Sequence, residues 1–108
     1  MAKRSANAVI QKIVRRIVDE FHPEQVILFG SHARGEAGPD SDIDLLVVMS
    51  FKGSKREKQV ALRGIIPDNS GPVDVIVTSP EDYRWRKDVV GTIEWPASHE
   101  GKVLYGRV

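Results

Sequence analysis

The chain has 108 residues, enough for a single domain over 1–108, with 16 Lys and Arg against 15 Asp and Glu and a net charge of +1. That balance argues against a module that holds duplex DNA by neutralising phosphates. No apolar run approaches the roughly 20 residues of a membrane span, and the absence of cysteine excludes disulfides and thiolate zinc sites. The basic residues 1–4 lead into an amphipathic segment and not an apolar signal sequence, so a cytoplasmic protein is expected.

Residues 5–21 read as a helix, because Val9, Ile10, Ile13, Val14, Ile17, Val18 and Phe21 recur at three- and four-residue spacings and Pro23 stops the pattern. Residues 26–29 form a short apolar run ending in Gly30, as a buried strand would, and residues 31–34 suit one helical turn. A Gly- and Pro-containing loop over 35–40 leads to a second buried strand at 42–49. Residues 54–66 are expected to be helical, with Val60, Ala61, Leu62, Ile65 and Ile66 as the apolar side. A loop over 67–72 precedes a third strand at 73–77. Ser79, Pro80 and the two acids after them signal a helix start, and that helix is expected to run to about Val90. One helical turn at 97–100 and a short strand at 102–105 complete an α/β fold, a small mixed sheet flanked by helices.

The chemistry concentrates in residues 30–47. Asp42 and Asp44 lie two apart at the start of an apolar strand, so their side chains point the same way, about 7 Å apart. Carboxylates placed so repel each other, and a bound cation relieves the repulsion. Oxygen ligands without nearby His or Cys favour a hard ion, Mg²⁺ or Mn²⁺. Asp74 sits inside another apolar strand, where an ionised carboxylate is costly unless paired or ligating a metal. If the two strands are neighbours, three acids converge, a set able to hold two metal ions for in-line displacement at phosphorus. At the other end of the segment, Gly30-Ser31 follows a strand and opens a helical turn, where backbone N–H groups receive phosphate oxygens. Arg34 is placed to add a planar fork to the phosphates.

Taken singly, each feature has a bland explanation: a structural glycine turn, a solvated Asp-x-Asp, a surface arginine. Competing motifs fail on particular residues. Gly30 and Gly35 have P-loop spacing, but Glu36 stands where lysine is required. Asp40, Asp42 and Asp44 mimic the start of a calcium loop, but Leu45 and Phe51 occupy the positions that need Gly and Glu. His22, His32 and His99 show no metal-ligand spacing.

With Gly30-Ser31, ten intervening residues and then Asp42-x-Asp44, the chain resembles the minimal nucleotidyltransferases of the DNA polymerase β superfamily. Ala33, Arg34, Gly35, Ser41, Leu45 and Val47 extend the match, and Val73-Asp74-Val75 resembles the family's third acidic strand. The resemblance implies a polymerase β-like fold, with Asp42, Asp44 and Asp74 as catalytic metal ligands. It implies ATP as substrate, held by Gly30 and Ser31, with Arg34 and Ser41 completing the nucleotide-binding set. It further implies a helical HEPN toxin as partner, silenced by transfer of AMP to a tyrosine. Two other readings stay open: an antitoxin that neutralises by association alone, and transfer to a small molecule or an RNA end. The chain ends soon after the core, so a partner protein or a second copy would supply the acceptor surface, with Tyr83, Trp85 and Trp95 among Arg84, Arg86 and Lys87 as a candidate contact.

Overall fold

The computed structural model describes residues 6–38 and 40–106. Helix α1 spans Ala6–Phe21 and buries Ile10, Ile13, Val14 and Ile17, with Val9, Val18 and Phe21 packed beside them. This is the stripe the spacing predicts; Ser5, expected to open the helix, lies outside the described residues. His22 then takes a positive φ of 49° ahead of Pro23, which ends the helix.

Four strands follow, β1 (Gln25–Phe29), β2 (Ile43–Val48), β3 (Val73–Thr78) and β4 (Lys102–Gly106), in the sheet order β3-β2-β1-β4. The pairs β1–β2 and β1–β4 are antiparallel, while β2 and β3 are parallel and in register from Ile43↔Val73 to Val48↔Thr78. The parallel connection needs a crossover, which α3 (Lys55–Gly64) supplies. Alternation divides the strands between two cores. Val26, Leu28, Leu45, Val47, Val75 and Val77 pack with α1 and with Leu62 of α3 on one face. Ile27, Phe29, Leu46 and Val48 pack on the other with Ala97, and there Ile76, Tyr83 and Val103 join them.

Three expected elements differ. In the 54–66 segment Leu62 is buried and Ile65 and Ile66, just past the end of α3, pack on the core as expected, but Val60 is 58% exposed and Ala61 is also exposed, while Lys58 and Gln59 are half-covered. Gln59 Oε1 accepts the Val77 N–H at 2.9 Å, so that a polar residue of α3 takes one outward donor of β3. Helix α4 (Pro80–Arg86) stops well before Val90: its Ser79 cap forms, but the chain turns away at Lys87 and passes through Gly91 at φ 99°. Helix α5 is longer than one turn, running Glu94–Glu100, because the Thr92 hydroxyl accepts the Trp95 N–H and Pro96 falls in the first turn, where no amide is needed.

Helix α5 lies diagonally across the second face. At its start the buried Glu94 accepts the Thr78 hydroxyl at 2.8 Å, at the far end of β3, and pairs with Arg86 Nε at 3.4 Å. At its end Gly101 is packed against Leu28, near the opposite end of the sheet. No helix among the described residues is long and apolar enough to cross a membrane.

Candidate active site

Helix α2 (Ser31–Arg34) is a single turn between two glycines in positive φ, Gly30 at 75° and Gly35 at 73°. Gly30 O accepts both Ala33 N and Arg34 N at 3.1 Å, and Glu36 N reaches Ser31 O at 2.9 Å. The amides of Ser31 and His32 begin the turn and so have no intrahelical acceptor. Gly30 also lies directly against the acidic strand, where Phe29 is the partner of Asp44. A Cβ at Gly30 would collide with Asp44 Oδ2 and stand 3.2 Å from its Cγ. The glycine is thus needed for its backbone conformation and for the space that the carboxylate occupies.

Asp44 and Asp74 are direct partners in the parallel β2–β3 ladder. They project from the same face as Leu46 and Ile76, with neighbouring strands about 4.8 Å apart. Asp44 is half-buried, while Asp42 and Asp74 are exposed. Partial desolvation raises the Asp44 pKa, and the charges of Asp74 and Asp42 raise it further, against the opposing pull of His32 and Arg34. The three acids therefore share one electrostatic site on one side of the sheet. Among the described residues no three acidic or histidine side chains are drawn together tightly enough to enclose a cation. The donor chemistry nonetheless suits one: three carboxylates, mutually repelling, at the open end of a rigid sheet, with Asp44 oxygen seated in the hollow left by Gly30.

The expected nucleotide-side residues fare differently. Ser31 opens α2 directly after Gly30, the residue packed on Asp44. Ser41 uses its hydroxyl to accept Gly38 N at 2.8 Å, while its own amide donates to Gly38 O at 3.2 Å; it shapes the loop that delivers Asp42. Arg34 donates from Nε to Glu36 at 2.8 Å and lies 3.9 Å from Glu100, so its fork is shared between two glutamates at the rim of the acidic site. Sequence reasoning assigned no role to His32. Its Nε2 stands 3.2 Å from Ser41 O, joining α2 to the loop before Asp42, and its charge opposes the upward shift of Asp44. Glu100, from the end of α5, was also missed; neither residue has a spacing signal, since both act through contacts made by the fold.

The residues of the expected aromatic contact are distributed over α4 and α5, where Arg86 lies 5.5 Å from the centroid of the Trp85 ring and Lys87 lies 5.9 Å from that of Tyr83. Tyr83 packs toward the sheet and lines a cleft of about 600 Å³ with Val48, Ser98 and Val103, across α5 from the acids. Trp95 stacks on His99 at 4.4 Å, and Trp85 is 59% exposed.

The profile of the nucleotidyltransferase domain family matches residues 10–100, spanning α1, the glycine turn and all three acids. The chain belongs to that family. A Methanocaldococcus jannaschii protein bearing the name putative protein adenylyltransferase is 36% identical over 61 residues, which cover 56% of this chain and 60% of that one. Among solved structures, a nucleotidyltransferase from Sulfolobus solfataricus, itself named as putative, superposes with a TM-score of 0.65 at 22% identity, over 99% of this chain and 93% of that one. A chain of a toxin–antitoxin complex with AMP-PNP gives 0.57 at 19% identity, over 90% of this chain and 73% of that one. A chain of the toxin–antitoxin pair MntA–HpeT, in mutant form, gives 0.53 at 20% identity, over 97% and 75%. These likenesses establish the shared fold, a mixed sheet flanked by helices.

Proposed function

We propose that this nucleotidyltransferase is a protein adenylyltransferase, moving AMP from ATP to a hydroxyl of a partner toxin, a tyrosine of a HEPN protein being the acceptor. The observation that carries the reading is the in-register pair Asp44–Asp74, joined electrostatically to Asp42 and set against Gly30. The resemblance to a protein named as an adenylyltransferase and the fold shared with toxin–antitoxin chains support the acceptor class.

Asp42, Asp44 and Asp74 would hold divalent cations, Mg²⁺ or Mn²⁺. When bound, such ions neutralise the charge of the triphosphate and of the three acids. The Ser31 and His32 amides and the Ser31 hydroxyl receive phosphate oxygens at the start of α2. Asp74, the exposed member of the pair, accepts the proton of the acceptor hydroxyl. The hydroxyl oxygen forms a bond to the α-phosphorus, the bridging P–O bond to the β-phosphate breaks, and pyrophosphate leaves with the electron pair. His32 keeps the Asp42 loop in place through Ser41.

The test is incubation of the chain with ATP labelled at the α-phosphate, Mg²⁺ and a purified HEPN toxin. Label is expected on the toxin, and is lost in the Asp42→Ala, Asp44→Ala double variant. Undiminished label in that variant refutes the assigned site. Full toxin neutralisation by the same variant, with complex formation intact, replaces catalysis with inhibition by association.

A further inference from the structure

The two edges of the sheet are treated differently. At β3 the outward Val77 N–H is taken by Gln59, and α3 packs alongside. At β4 no described side chain bonds the outer backbone, and Leu104 and Tyr105 are 38% and 41% exposed. β4 bulges at Leu104, between the pairs Ile27↔Val103 and Val26↔Tyr105, and beside this irregularity its outer backbone is open to another strand. Beside it, α1 and β4 enclose a groove of about 430 Å³ with Val14 and Val18 on the helix side and Leu104 and Tyr105 on the strand side. Arg15 and Asp19 flank this groove, one helical turn apart, both exposed and neither in an ion pair among the described residues.

We infer that this surface binds a second copy of the chain about a two-fold axis, β4 pairing antiparallel with β4 of its partner and α1 lying antiparallel to its partner helix. The charges select this occupant. A two-fold axis passing beside the middle of the Arg15–Asp19 turn sets each Arg15 opposite the partner's Asp19, so one acid and one base make two ion pairs. The same axis lies over Leu104 and Tyr105, because these are the β4 residues that share the groove with Val14 and Val18. Two four-stranded sheets become one continuous sheet, and the apolar groove closes against its own copy. Each acidic site lies on the opposite sheet face from α1 and stays open to nucleotide and acceptor. The inference is independent of the proposed activity, and its test reads mass instead of turnover.

Sedimentation equilibrium of the full chain at about 10–100 μM is expected to give a dimer, in the range of ordinary reversible association. Arg15→Asp or Asp19→Arg alone places like charges opposite each other and is expected to weaken the dimer at least about tenfold. The combined Arg15→Asp, Asp19→Arg swap restores it, because the pair is reversed on both copies. Leu104→Lys, at an exposed position, is expected to give a folded monomer by circular dichroism. A monomeric parent chain overturns the inference. So does a dimer whose mass is indifferent to the single reversals, or a swap that fails to restore association while remaining folded.

Discussion

Replacing Gly30 with alanine should damage the protein twice, and the two effects can be separated. At φ 75° and ψ −156° the backbone occupies a region open essentially to glycine, so any Cβ there costs about 1–3 kcal/mol. The same Cβ also collides with Asp44 Oδ2 and forces the carboxylate to move. Gly35 is the internal control: its φ is 73°, but a Cβ there meets nothing within 4 Å, so Gly35→Ala pays only the left-handed backbone penalty of about 1–2 kcal/mol. In a domain of this size each kcal/mol lowers Tm by roughly 4–8 °C. The collision is relieved in an Asp44→Ala background, where the remaining Cβ lies 3.5 Å away. A double-mutant cycle of Gly30→Ala and Asp44→Ala, measured by urea unfolding, should therefore show a coupling of about 1 kcal/mol or more. Calorimetric titration with Mg²⁺ and a non-hydrolysable ATP analogue should show lost affinity in Gly30→Ala and retained affinity in Gly35→Ala. Additive stabilities together with equal nucleotide affinity in the two alanine variants would refute the close-approach argument.

Three further outcomes are expected. Because burial and the neighbouring acids raise the folded pKa of Asp44, the folded state holds its proton more tightly than the unfolded chain; the group favours folding fully below its ordinary pKa of 3.8 and loses that contribution as pH rises through the higher folded value. Asp44→Asn should accordingly raise Tm at pH 7 without Mg²⁺ and leave it unchanged at pH 3, a pattern that scanning calorimetry reads directly. Glu94→Ala deprives Thr78 and Arg86 of their buried partner and should cost about 3 kcal/mol in urea unfolding, with faster amide exchange in α5. Ile17→Ala empties a fully buried position under the sheet and should cost about 2–5 kcal/mol in the same assay, with unchanged nucleotide affinity in the folded fraction.

The elements nearest the chemistry were the easiest to read. The apolar runs before Gly30 and after Asp44 read as buried strands, and β1, α2 and β2 form within a residue or two of the expected bounds. The region after Ser79 was harder. Its start carried a capping serine and a proline, but the stop after Arg86 carried no glycine until Gly91, and α5 starts on the Thr92 hydroxyl with a proline two residues into the helix. In α3 the expected apolar side is only partly buried: Leu62, Ile65 and Ile66 reach the core, but Val60 and Ala61 face out and Gln59 turns to the Val77 amide of β3.

Local order could announce which residues carry chemistry, since Gly30, Asp42, Asp44 and Asp74 each stand out against the period of their own segment. It could not place Asp74 beside Asp44, because the two lie thirty positions apart with a crossover helix between their strands, and side-by-side register is a property of the finished ladder. Nor could it reveal His32 holding Ser41 or Arg34 engaged by two glutamates, contacts that exist only once the motif turn, its loop and the end of α5 meet. Periodicity and motif spacing are short-range information written in consecutive residues; proximity, burial and electrostatic coupling arise from packing between segments distant along the chain.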